Sequence, residues 1–337
     1  MNKPLLICMT ATRNYGWVTN AFLKANSLWA DYIIIADQHS TDGTREMALE
    51  YPNVILLDND NLTYSESTWS QLVIDRARKI EGDKILFFLD IDEMFSANYL
   101  LTQDWQNILQ SKPGEIFFFN WANICSDTKH YWTSKNDDGS LFFLARMFHD
   151  DGITPYNNEG IDMHTHCIPY PEDDVNRIFY VNDFKMLHFG RYNEKWNNAK
   201  LRYFQIVDFE QNNRNITSLS RMYKSVVSEH EIIELHEIWL YSKDKHGFDL
   251  FNEVYEPENP LFDQYVLDMI KSDGIERYKK LDIWDKSFLK CNNLSDPRPL
   301  WIKLVHFYFQ SSSKISSNLL IRILDKILKN AIYNSPI

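Results

Sequence analysis

The chain has 337 residues, with 47 acidic and 35 basic side chains and a formal net charge of −12. That balance argues against a duplex nucleic-acid binder, because such proteins gain affinity by neutralising phosphates with Lys and Arg. At roughly 100 to 200 residues per domain the length allows two domains, or one large domain with an appended helical part. The charged (24%) and apolar (44%) fractions are those of a soluble globular enzyme, and 15% aromatics supplies either core packing or a stacking cleft. Cys8, Cys125, Cys167 and Cys291 show no C-x-x-C spacing, so neither a zinc ribbon nor a disulfide framework is expected. Reduced thiols, the lack of a secretory signal pattern and the lack of a long apolar run predict a cytoplasmic protein.

Through residue 120 two patterns alternate. Apolar runs at Leu5 to Met9, Tyr32 to Ala36, Val54 to Leu57, Ile85 to Leu89 and Ile116 to Phe119 read as buried strands. Helical patterns at Trp17 to Trp29, Gly43 to Glu50, Glu66 to Ile80 and Asn98 to Leu109 separate them. This order predicts an α/β domain whose mainly parallel sheet is flanked by helices, with ligands bound beyond the carboxyl ends of the strands. Aromatic-rich runs at Leu141 to Phe148 and Ile178 to Phe189 complete the domain, which is expected to span residues 1–215. A mostly helical extension is expected over 216–337, including a helix at Glu229 to Leu240 and an amphipathic, basic one at Lys314 to Ile332.

The strongest chemical signal is the strand Ile85 to Leu89 running into Asp90-Ile91-Asp92-Glu93. Carboxylates this close repel and raise one another's pKa, so a divalent cation with oxygen ligands, Mg²⁺ or Mn²⁺, would relieve them. Acidic first-turn residues of a following helix are the blander alternative. An earlier strand ends in Asp37, followed by Ser40-Thr41-Asp42-Gly43-Thr44, and the first ends in Thr10-Ala11-Thr12-Arg13-Asn14. Turn formation and capping account for Ser40 and Asp42. They leave Asp37 able to accept hydrogen bonds from a base or ribose.

In order and spacing these elements resemble family 2 glycosyltransferases, which have the GT-A fold. Thr12-Arg13-Asn14 follows the first strand, Asp37 to Thr44 is similar to the family's D-x-x-S-T-D-G-T, and Asp90-Ile91-Asp92 resembles its D-x-D. Phe88-Leu89-Asp90-Ile91-Asp92-Glu93 is also similar to family 92 enzymes. The resemblance implies a nucleotide-diphosphate-sugar donor held by Thr12, Asn14, Asp37, Asp42, Asp90 and Arg146, the last from an Arg-hydrophobic-Phe element at 146–148. It further implies a metal, Mn²⁺ or Mg²⁺, bound by Asp90 and Asp92 with His188 as a third contact. A glycan or lipid-linked acceptor would receive the sugar with inversion, as in the synthesis of bacterial surface polysaccharide or lipopolysaccharide.

The family's Glu after its first His is Thr165 here, which leaves Glu159, then Asp162, and His164 as candidates for the base that inverting displacement requires. Trp121, Tyr131 and Trp132 offer acceptor stacking or core packing. His230 to Glu234 misses the metalloprotease H-E-x-x-H and reads as an amphipathic helix. The basic C-terminal helix suits the inner face of an anionic membrane, or packing against the catalytic domain or a second subunit. Two other functions fit the D-x-D: a haloacid dehalogenase-type phosphohydrolase with Asp90 as nucleophile, and a non-catalytic glycan-binding protein on the same fold.

Overall fold

The computed structural model describes residues 3–135, 140–156, 166–170, 177–211, 215–223, 232–256, 261–312, 315 and 318–333. They belong to two compact units, one drawn from 1–193 and 230–256, the other from 194–229 and 257–337.

The first unit opens with β1 (Leu5–Thr12), α1 (Gly16–Asn26), β2 (Tyr32–Asp37), α2 (Thr44–Leu49), β3 (Val54–Asp58), α3 (Glu66–Arg78) and β4 (Lys84–Phe88). The four strands pair in parallel in the order β3-β2-β1-β4. Leu6 and Cys8 of β1 face one core with Phe22 and Leu23 of α1, while Ile7 and Met9 face another with Val73, Ile74 and Ala77 of α3. A strand buried on both sides must be apolar at every position, which is why these runs stand out in the sequence. The fold is the α/β class expected, with a mainly parallel central sheet flanked by helices.

Beyond β4 come β5 (Glu93–Phe95), α4 (Gln103–Leu109), β6 (Ile116–Ile124), β7 (His130–Trp132), β8 (Phe143–His149), β9 (Ile178–Tyr180) and β10 (Met186–His188). β8 adds antiparallel to β4 and then to β6, and β10 lies between β5 and β6. Asn98 to Leu109 is shorter as a helix than its pattern: a tight turn at Tyr99–Leu101 precedes α4, which Thr102 caps through Trp105 N–H.

The second unit holds α5 (Glu194–Glu210) and α6 (Ile216–Met222). The chain then returns to the first unit through β11 (Ile233–Glu234) and α7 (Lys243–His246) before α8 (Leu261–Asp273), α9 (Lys286–Cys291), α10 (Leu300–Ser311) and α11 (Leu319–Tyr333). Two expectations change. The break falls after residue 193 rather than 215, because α5 packs on α8 and Arg202 binds Asp263 through two nitrogens at 2.7–2.9 Å. The described part of Glu229 to Leu240 is not a helix: Ile233 and Glu234 pair with Tyr131 and His130 of β7, and Glu237–Trp239 forms one tight turn. Edge pairing satisfies the backbone there, and Trp239 turns inward against Tyr131 at 5.0 Å.

His306 on α10 is buried in the second unit, with Nδ1 3.0 Å from Arg298 Nη1 and Nε2 3.1 Å from the Lys280 carbonyl. Burial, opposed by Asp282 and reinforced by Arg298, lowers its pKa from 6.5 to about 4. The unfolded chain therefore binds a proton that the folded chain refuses. The contribution of neutral His306 is complete above pH 6.5 and is lost as pH falls from there toward 4. In urea unfolding at pH 7.5 and 5, the wild type should lose about 2 kcal/mol more than His306→Gln; equal losses would show that another group carries the acid sensitivity.

Candidate active site at the carboxyl edge of the sheet

Three strand ends build one side of the site. Asp37 closes β2 and is fully buried. It accepts from Ser40 N (2.9 Å), Ser40 Oγ and Arg45 Nη1 (2.7 Å), so three of a carboxylate's four acceptor positions are filled within the chain. Arg45 also binds Asp58 at 2.7 Å. Ser40 Oγ in turn accepts from Asn14 N at 2.7 Å, and Asn14 Oδ1 accepts from Thr41 N at 2.7 Å. Asn14 and His39 have φ of 59° and 55°, left-handed backbone concentrated where β1 and β2 end.

Asp42 clasps two helices. Its Oδ2 accepts from Gly16 N (2.7 Å), and its Oδ1 from Thr44 N (3.2 Å) and Thr44 Oγ1 (2.6 Å). Gly16 is required by proximity, since a Cβ there would meet the Asp42 carbonyl oxygen at 2.7 Å. Alongside, Thr12 Oγ1 and Asn59 Nδ2 are buried with no hydrogen-bond partner among the described residues. Register makes them neighbours of Asp37: Thr12 pairs with it on β1, and Asn59 N donates to its carbonyl at 2.9 Å. Orphaned polar atoms of this kind cost stability unless a ligand or water satisfies them.

Asp90 to Glu93 forms a tight turn: Glu93 N donates to the Asp90 carbonyl at 2.8 Å and Asp90 N to Glu93 Oε2 at 2.9 Å. The next element is β5, so the capping alternative falls away: no helix starts at these carboxylates. Glu93 is fully buried, and its Oε1 accepts from Trp121 Nε1 (2.6 Å) and Arg146 Nη2 (2.9 Å). Burial pushes its pKa up to about 8 against the pull of Arg146, with Asp90 and Asp92 adding to the rise. Arg146 also reaches Asp90 Oδ2 at 2.8 Å. Burial opposes its charge, but Asp90 and Glu93 outweigh that cost and raise its pKa.

Asp92 points elsewhere. The β5–β10 register sets His188 opposite Glu93, and His188 Nε2 lies 3.8 Å from the buried Asp92 Oδ1. His188 stacks on Trp121 (4.5 Å, 17°), and its Nδ1 is 2.7 Å from Asn123 Oδ1. Asn123 Nδ2 faces the Trp132 carbonyl (3.2 Å) and Ser134 Oγ (3.3 Å), so Oδ1 is the acceptor and His188 Nδ1 donates to it. His188 Nε2 faces the Asp92 carboxylate at a separation longer than a hydrogen bond. Gly190 makes room for the imidazole: a Cβ there would lie 2.4 Å from His188 Nε2 and 3.3 Å from Asp92 Oδ2.

The structure thus brings together Asp92 and His188 of the expected metal set, while Asp90 is committed to Arg146. Among the described residues no three His, Cys, Asp or Glu side chains converge as a complete metal site. Glu159, Asp162 and His164 lie outside the described residues. Trp121 serves His188 and Glu93, Tyr131 packs on Trp239, and Trp132 lies under Arg191 at 4.8 Å. Arg45, Asn59, Asn123 and Gly190 were not singled out as site residues from the sequence. Only the position of Asn59 just after a strand signals a place at this edge.

No protein-family model matches the chain. No curated protein matches it either. Among solved structures it is similar to inositol-1-phosphate CTP transferase from T. maritima (10% identity, 58% of this chain and 94% of that one, TM-score 0.38). It is also similar to 4-diphosphocytidyl-2C-methyl-D-erythritol synthase from Anaerococcus prevotii (12%, 44% and 72%, 0.29). A third is glucosyl-3-phosphoglycerate synthase from Mycobacterium tuberculosis in complex with Mn²⁺, UDP-glucose and phosphoglyceric acid (14%, 36% and 44%, 0.25). At these identities and scores neither activity nor substrate carries over.

Removing Arg146 would leave Glu93 buried without its cation. Arg146→Met should cost about 3 kcal/mol in urea unfolding at pH 7, and adding Glu93→Gln should recover part of that loss; an additive double variant would show that the two groups do not interact.

Proposed function

We propose that the chain is a metal-dependent, inverting glycosyltransferase. It would move a sugar from a nucleotide-diphosphate-sugar donor to a hydroxyl of a glycan or lipid-linked acceptor, in the synthesis of a bacterial surface polysaccharide or lipopolysaccharide. The observation that supports this reading most is the Asp92–His188 pair, 3.8 Å apart beside Gly190, at the edge where an α/β sheet binds ligands. A hard divalent cation suits one carboxylate and one imidazole while leaving positions for diphosphate oxygens. Asp92 and His188 would hold Mn²⁺ or Mg²⁺, with Asp90 beside them. When bound, the ion would neutralise charge on the departing diphosphate.

The chain's own groups divide the remaining work. Asn123 and Trp121 orient the imidazole, as outer partners of metal-binding histidines do. Arg146 fixes Asp90 and Glu93 in the turn that aims Asp92. Thr12 Oγ1, Asn59 Nδ2 and the remaining acceptor position of Asp37 offer polar contacts for a nucleoside, with Asn14 and Asp42 shaping that wall. In the reaction, the acceptor oxygen forms a bond to the anomeric carbon. The bond to the diphosphate breaks with its electron pair, and a base takes the hydroxyl proton. We assign the base to Glu159, with Asp162 and His164 as the next candidates.

Thermal unfolding with a panel of nucleotides and nucleotide sugars, with and without Mn²⁺, tests the reading. One nucleotide class should stabilise the wild type by about 2.7 kcal/mol at 100 times its Kd, only with Mn²⁺, and Asp92→Asn should abolish the effect. Stabilisation without metal, or hydrolysis of an aryl phosphate by a chain that binds no nucleotide sugar, would overturn it. Glu159→Gln should keep donor binding and lower kcat by about 100-fold or more; unchanged turnover would move the role to Asp162 or His164.

A further inference from the structure

Helix α11 presents three sectors of side chains. Ile332 is buried and Ile321, Asp325 and Leu328 are half-buried within the second unit. Asp325, the one acid of the helix, is held by Arg221 at 2.5 and 2.9 Å and by Tyr308 Oη at 3.2 Å. The neighbouring sector, at i, i+4 and i+7, is Arg322, Lys326 and Lys329. The remaining sector is apolar and open to solvent: Leu319, Leu320, Ile323, Leu324 and Ile327, with Leu320 74% exposed. In the same unit α10 buries Ile302, Val305 and Phe309 but exposes Leu300, Trp301, Leu304 and Phe307, with Leu300 73% and Phe307 68% exposed.

An open apolar face of this extent marks an interaction surface. Charge selects among its partners. The whole chain carries −12, yet α11 has lost its acid to an internal pair and keeps three basic side chains on one flank of the apolar face. A two-fold contact between copies through this face would bring like-charged stripes together. A helix with an apolar face and a basic flank instead matches the boundary of an anionic bilayer, where the acyl region takes the apolar side chains and the headgroups take the cations. No helix among the described residues is long and apolar enough to cross a membrane. We propose that α11, with the apolar face of α10, seats the chain on an anionic phospholipid surface.

The test is co-sedimentation of the full chain with phosphatidylcholine vesicles, with and without about one-third phosphatidylglycerol. Binding should require the anionic lipid and fall as salt rises. Two double variants change only exposed side chains, Leu320→Glu with Ile327→Glu and Arg322→Glu with Lys326→Glu. Each should weaken binding by about tenfold or more while leaving the melting temperature unchanged. Equal binding to neutral vesicles, or no binding to either, would overturn the proposal. So would sedimentation of the free chain as a dimer that the Leu320→Glu with Ile327→Glu variant dissociates, since a second copy would then cover the face.

Discussion

The site is organised by one buried carboxylate. Glu93 has no access to water, and burying its polar oxygens is costly unless they find donors inside the protein. Its donors come from two strands and a turn: Arg146 on β8, Trp121 on β6 and the Asp90 N–H in the turn after β4. Satisfying Glu93 therefore fixes the turn after β4, and that turn decides that Asp90 faces Arg146 while Asp92 faces His188. Burial raises the Glu93 pKa and the guanidinium lowers it, and the worth of such a buried pair lies in geometry rather than in net stability.

A second polar network holds the other wall. Asp37, Ser40, Asn14 and Thr41 are linked by hydrogen bonds of 2.7–2.9 Å, and Arg45 ties the end of β2 to that of β3. This spends most of the acceptor capacity of Asp37 inside the protein. In the proposed function its part would be to pre-organise the loop as much as to touch a nucleoside. The orphaned polar atoms beside it, Thr12 Oγ1 and Asn59 Nδ2, are where uncompensated binding capacity remains. The concentration of positive φ at Asn14 and His39 fits a wall held in place by its surroundings rather than by local preference.

The second unit obeys a different rule. Its helices bury a shared core around Ile206, Leu219, Val266, Trp284 and Phe288, and charged side chains such as Arg202 and Arg298 are paired with two carboxylates each. Against that background of paired charge, the basic flank and exposed apolar faces of α10 and α11 stand apart as surface that no described residue covers.

The four parallel strands and the helices between them were legible in the sequence, because a strand covered on both faces must be apolar throughout and its end must turn polar. For the same reason Thr12, Asn14, Asp37, Asp90 and Asp92 could be picked out by position alone. What local pattern could not supply was pairing between distant segments. Nothing near Leu187-His188-Phe189-Gly190 states that β10 inserts between β5 and β6, so the meeting of His188 with Asp92, the support of Asn123 and the space kept by Gly190 follow only from strand register. The segment around Ile233 reads as helix locally, yet edge pairing with β7 makes it strand. Apolar periodicity is a property of the chain's own backbone and is visible in one dimension; register and partnership depend on which segments compete for the same edge, and tertiary packing alone decides that.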